Sequence, residues 1–126
     1  MALFRCASGS SGGENLTQLW SRAVSSYSGG TETLSSGMSN FDELKIVFQL
    51  STSDTTKHYI KIDLSTFNSS YSGRYYYGGY ANSANFMRAL VYVSDTSIEI
   101  GNAYKMNVAA NDSSVIIPIE IYGVTY

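Results

Sequence analysis

The sequence predicts an all-β fold, a two-sheet antiparallel sandwich of jelly-roll-like form, with a flexible Gly/Ser-rich arm at its N-terminus. Three observations carry this expectation. Helix formers are scarce beside Ser, Thr, Tyr, Val and Ile, and there is one proline. Apolar side chains recur at every second position in several stretches, the period at which a pleated strand turns alternate residues to one face. Gly, Ser, Asn and Asp clusters separate about eight or nine such stretches at spacings of roughly 8 to 12 residues, as in sandwiches. A chain of 126 residues supplies one core, burying roughly two thirds of its unfolded surface.

Composition also limits the function. The net charge is −2 and the eight Lys plus Arg are scattered singly, so no basic stripe is available to neutralise a phosphate backbone and no nucleic-acid partner is expected. Cys6, the single cysteine, can form neither an internal disulfide nor a multi-cysteine metal site. No cofactor or metal site is expected. The opening residues 1–6 are interrupted by Arg5 after a few apolar groups and offer no run of export length, so synthesis in a cytoplasm is expected. No stretch approaches the ~20 apolar residues of a membrane-spanning helix, and no membrane insertion is expected.

Residues 1–13 read as a flexible N-terminal arm and residues 14–126 as the sandwich domain. Residues 7–13, Ala-Ser-Gly-Ser-Ser-Gly-Gly, hold nothing to bury. Gly9-Ser10-Ser11-Gly12-Gly13 matches the G-x-S-x-G spacing, but a nucleophile elbow needs a strand before it and a helix after it. The segment reads as a solvated linker. Leu16, Leu19 and Trp20 open the domain, and Trp20 reads as a packing residue whose indole N–H finds a backbone carbonyl. Residues 27–30 form a turn, 31–35 a short strand, and 39–43 a polar corner around Phe41.

Leu44, Ile46, Phe48 and Leu50 then share one face of a strand, and His58, Ile60, Ile62 and Leu64 share one face of the next. The polar loop 51–56 makes the two an antiparallel hairpin. His58 starts an apolar face with no second histidine in the chain, which favours a structural, hydrogen-bonded histidine over a base or ligand. Residues 85–94 are apolar on both faces and therefore central, and 98–100 form a further strand. In the last strand Val115, Ile117, Ile119 and Ile121 fall on one face, with Phe48 and Ile119 expected in the core. Pro118 implies an unpaired or irregular stretch there.

Residues 68–82 are unlike the rest: five tyrosines and one arginine set among Gly, Ser and Asn. Binding surfaces favour this mixture, because tyrosine offers a large rigid face with a polar tip and loses little entropy. The expected ligand-binding residues are Tyr71, Arg74, Tyr76 and Tyr80, with Gly73, Gly78 and Gly79 letting a ligand approach. The competing reading is that the rings pack between strands, Tyr75 and Tyr77 inward and Tyr76 on the other face. Among Asp42, Glu43, Asp54, Asp63, Asp95, Glu99, Asp112 and Glu120 no pair is spaced for glycoside hydrolysis. No catalytic residue is assigned.

Several pieces together carry a resemblance: the Met-Ala-Leu-x-Arg-Cys start, the Gly/Ser arm, Leu19-Trp20, the Asn40-Phe41-Asp42 corner leading into Leu44-Lys45-Ile46-Val47-Phe48, and the ending Ile117-Pro118-Ile119-Glu120-Ile121-Tyr122-Gly123-Val124. In this order they resemble small β-rich structural and tail-associated proteins of gut bacteriophages and prophages. The resemblance implies a virion location and a symmetric homo-oligomer. A trimer is favoured, since a neighbouring subunit could cover the second apolar face of residues 85–94. The arm would contact other virion proteins. It further implies adhesion to a host surface glycan or protein, ahead of a capsid decoration or head-fibre role, with a polysaccharide hydrolase last.

Overall fold

A computed structural model describes residues 13–65, 74–106 and 110–126. Cys6, the linker 7–12, Tyr71 and Gly73 lie outside the described residues. Among the described residues nine strands follow one another: β1 (Asn15–Ser21), β2 (Gly30–Thr33), β3 (Glu43–Ser51), β4 (His58–Asp63), β5 (Arg74–Ala81), β6 (Ala84–Ser94), β7 (Ser97–Ile100), β8 (Tyr104–Lys105) and β9 (Val115–Thr125). They form two antiparallel sheets, in the order β1-β9-β3-β4 and β2-β7-β6-β5, with β8 pairing β6. The expected sandwich is present. It is jelly-roll-like in that β1 and β3 flank the last strand while β2 lies in the opposite sheet. Its middle runs as hairpins, β3 to β4 and β5 through β6 to β7.

The inward faces follow the alternation. Leu44, Ile46 and Phe48 of β3, Ile62 of β4, Leu90 of β6, and Ile98 and Ile100 of β7 join in one core. Burying side chains of this size contributes about 1.5 to 3 kcal/mol each before the entropy of ordering is subtracted. Phe48 meets Tyr77 of β5 edge-on, ring centroids 4.9 Å apart, so β5 lies over β3. The Asn40-Phe41-Asp42 corner and the Tyr122-Gly123 ending prove to be contact partners. A Cβ on Gly123 would come within 2.4 Å of the Phe41 ring, so only glycine leaves room for that ring.

The last strand departs from the single apolar face expected of it. Val115, Ile116 and Ile121 belong to the main core, whereas Ile117 and Ile119 pack with Val47 and Tyr122 in a second cluster. Two irregularities break the period. Opposite β3 the pairing passes from Val47↔Glu120 to Phe48↔Pro118, leaving Ile119 as an extra residue, and a bulge of this kind resets which face follows. Ile116 has φ of 50°, a left-handed conformation costly for a β-branched residue. Pro118 therefore sits within a central strand, but beside the bulge. The β1–β9 register ends at Ser21↔Glu120, and just past β1 the Arg22 amide donates to the Ile119 carbonyl at 3.0 Å, so among the described residues the flank of β9 toward β1 has no ladder partner at Pro118.

Arg88, in the middle of β6, is fully buried. Its Nε donates to the Ile116 carbonyl at 2.6 Å, Nη1 to Gly101 at 2.8 Å, and Nη2 to Tyr27 at 2.7 Å and Val115 at 3.0 Å. Four backbone acceptors from three chain segments thus take the place of a counter-ion. Desolvation by burial lowers the guanidinium pKa from its usual value. Trp20 also differs from expectation, since its indole N–H donates to the Glu32 carboxylate at 3.1 Å and not to a backbone carbonyl. The other oxygen of Glu32 accepts from the Tyr27 hydroxyl. Burial, then Glu32, pushes that phenol well above its usual pKa.

Candidate functional site

β5 forms because its tyrosines suit a pleated surface and because Asn82-Ser83 turns the chain directly into β6. Both turn residues are left-handed, φ 49° and 64°, as a two-residue turn of the type that matches strand twist requires. The β5–β6 register is unbroken from Arg74↔Val91 to Ala81↔Ala84. Alternation then fixes the faces. Tyr77 is buried and Tyr75 packs against the core, while Arg74, Tyr76 and Tyr80 are exposed on the outer face with Gly78 between the two rings.

Both readings of the tyrosines hold, for different residues. Tyr75 and Tyr77 are packing groups, and Tyr76 and Tyr80 keep 56 and 63% of their surface in solvent. The glycines serve the fold. A Cβ on Gly78 would stand 2.0 Å from the Phe86 carbonyl oxygen, and one on Gly79 would stand 2.7 Å from the Leu50 side chain. Close approach of the neighbouring β6 backbone to Gly78 and of the Leu50 side chain to Gly79 requires glycine at both positions, and Gly78 also leaves the outer face open between the two rings.

The register extends the exposed face across the sheet. Val91 lies beside Arg74, Ala89 beside Tyr76, and Met87 beside Gly78. Tyr104 of β8, 44% exposed, lies beyond Met87. Met87, Ala89 and Val91 are half-buried, so the second apolar side of β6 is the floor of a shallow aromatic surface. Sequence reasoning missed Met87 and Tyr104. Residues 85–94 read as core on both sides, and nothing local to Tyr104 shows that it pairs with Met87.

Arg74 makes no hydrogen bond or ion pair with a described residue, and neither do the hydroxyls of Tyr76 and Tyr80. Most other cations are engaged. Arg22 donates to the Ser25 and Ser26 carbonyls, Lys45 and Lys61 hold Glu14, Lys57 stands 3.7 Å from Glu120, and Arg88 is buried. Of the lysines and arginines among the described residues, only Arg74 and Lys105 have no polar partner.

Several carboxylates are occupied with turns and loop contacts. Asp54 accepts from the Thr56 amide at 3.0 Å and stands 3.6 Å from His58 Nε2, and His58 packs on Phe48 with centroids 5.8 Å apart. Asp63 accepts from the Ser65 amide, Asp95 from the Ser39 amide and hydroxyl, and Asp112 from Ser114. These bonds, Thr56 first for Asp54, Ser65 for Asp63 and Ser114 for Asp112, hold the three carboxyls below their usual pKa. Carboxyls so held are poor proton donors at neutral pH. Among the described residues no group of three or more His, Cys, Asp or Glu is placed to hold a metal ion. Comparison of the chain with protein-family models and with curated proteins gives no match.

Proposed function

We propose that this protein is a bacteriophage virion component, tail-associated, that attaches to the host surface through the outer face of β5. The observation that carries the binding role is the exposed row Arg74, Tyr76 and Tyr80 on a rigid strand, its polar groups unused by the described residues. Aromatic faces stack on the apolar C–H faces of sugars, and a guanidinium donates to hydroxyl or acidic groups. The virion setting rests on the sequence resemblance. Display on a homo-oligomer that leaves this face open, and so is not held together through the outer side of β6, raises apparent affinity by roughly 100 to 10,000-fold without tight single sites.

A double variant, Tyr76→Ala with Tyr80→Ala, tests this reading. Both rings are largely solvent-exposed, so the variant should keep its melting temperature and lose binding to host cells. Retained binding by the normally folded variant removes the site and brings forward the capsid decoration role, in which no ligand is bound.

A further inference from the structure

The outer face of β5 has a length and a charge pattern, and together they narrow the ligand class. Alternate residues of a strand lie roughly 7 Å apart, so Arg74 to Tyr80 spans roughly 20 Å, the length of an extended oligosaccharide of about four rings. The face is low along that line. Gly78 has no side chain between the two rings, and Ala89 and Met87 beside it are half-buried. An extended chain can therefore lie on Tyr76 and Tyr80 at once.

Positive charge on the outward side of β5 is confined to one end. Arg74 is the single cation on the outward side of β5. Toward the other end Asn82 donates to the Asp112 carboxylate at 3.2 Å, and across the sheet from Arg74, beyond Val91, stands exposed Glu99. A ligand with an acid on every ring would set carboxylates over uncharged phenols and toward Asp112, in a protein whose net charge is already −2. Like charges in these places disfavour it.

We propose that the ligand is a linear glycan with one acidic group for about every four rings, the acid on Arg74 and the uncharged rings on Tyr76 and Tyr80. This rests on the binding role given above and names the ligand class of that site. Three probes tested by titration calorimetry on the full chain decide it: a sialylated linear tetrasaccharide with a single terminal carboxylate, the same chain without the sialic acid, and tetragalacturonate with a carboxylate on every ring.

The singly acidic chain should bind about tenfold more tightly than the neutral one, since a charge-assisted hydrogen bond contributes about 1.5 kcal/mol or more. Tetragalacturonate should bind more weakly than the singly acidic chain. Arg74→Gln should remove the preference for the acid, weakening the singly acidic chain by about tenfold and the neutral chain by much less. Equal binding of the charged and neutral chains, stronger binding of tetragalacturonate, or an equal loss on all probes in Arg74→Gln overturns the proposal. If no probe binds while host cells are still bound through Tyr76 and Tyr80, the acidic-glycan assignment falls and the adhesion role stands. If host binding is also absent, both fall.

Discussion

Tyr77 meets Phe48 edge-on across the sandwich, ring centroids 4.9 Å apart, and its hydroxyl is buried with no hydrogen-bond partner among the described residues. The ring joins the two sheets while the oxygen on its tip works against them. A buried polar group without a partner costs about 1 to 3 kcal/mol. Tyr77→Phe keeps the ring contact and should stabilise the protein by about 1 kcal/mol, raising the thermal midpoint by about 4 °C. A loss of stability would show that the hydroxyl has found a partner such as a water.

The guanidinium of Arg88 is the opposite case, a buried polar group with every bond made. Arg88→Met would take the guanidinium donors from four carbonyls, and Arg88→Lys keeps the charge but replaces a planar fork by one ammonium that cannot reach all four. Each variant should lose about 3 kcal/mol or more in chemical denaturation. A lysine variant within about 1 kcal/mol of the parent would mean that the charge matters and the fork does not.

Stability should be level between about pH 5 and pH 10 and fall on both sides. Glu14, held below its usual 4.5 chiefly by Lys61, and Asp112, held below its usual 3.8 chiefly by Ser114, contribute above those values. That contribution is lost as the pH drops through the lower folded values. On the alkaline side burial raises the phenols of Tyr27 and Tyr77 above their usual 10.0, so their contribution is present below 10 and lost as the pH rises. Lys61, raised from 10.5 to about 12 chiefly by Glu14, adds a loss through about pH 12. Thermal midpoints across this range should show both limbs, with the acid limb shallower in Glu14→Gln and the alkaline limb shallower in Tyr77→Phe.

Local alternation made much of this fold legible. Leu44, Ile46, Phe48 and Ile62 point inward as their period requires, and the same rule separated Tyr75 and Tyr77 from Tyr76. Ile117 and Ile119 escaped it, because a bulge and a left-handed residue break the period without any glycine to signal them. Arg88 escaped for another reason. Sequence gives an arginine in an apolar strand no visible partner when the partners are backbone carbonyls up to 61 positions away. The platform was half legible: β5 announced its tyrosines, but Met87 and Tyr104 join them only through sheet pairing.

The four acceptors of Arg88 also shape how the molecule opens and closes. They lie on the stretch before β2, the turn after β7 and the start of β9, and the guanidinium is satisfied only when all three are assembled around β6. A half-closed sandwich would hold a dehydrated charge short of acceptors, a state too costly to populate. The charge can shed its water only in step with closure of both sheets. The contacts it makes join distant parts of the chain, which slows folding, and any of them formed after the barrier acts on unfolding alone. A guanidinium held in this way favours opening of both sheets together over a half-open sandwich.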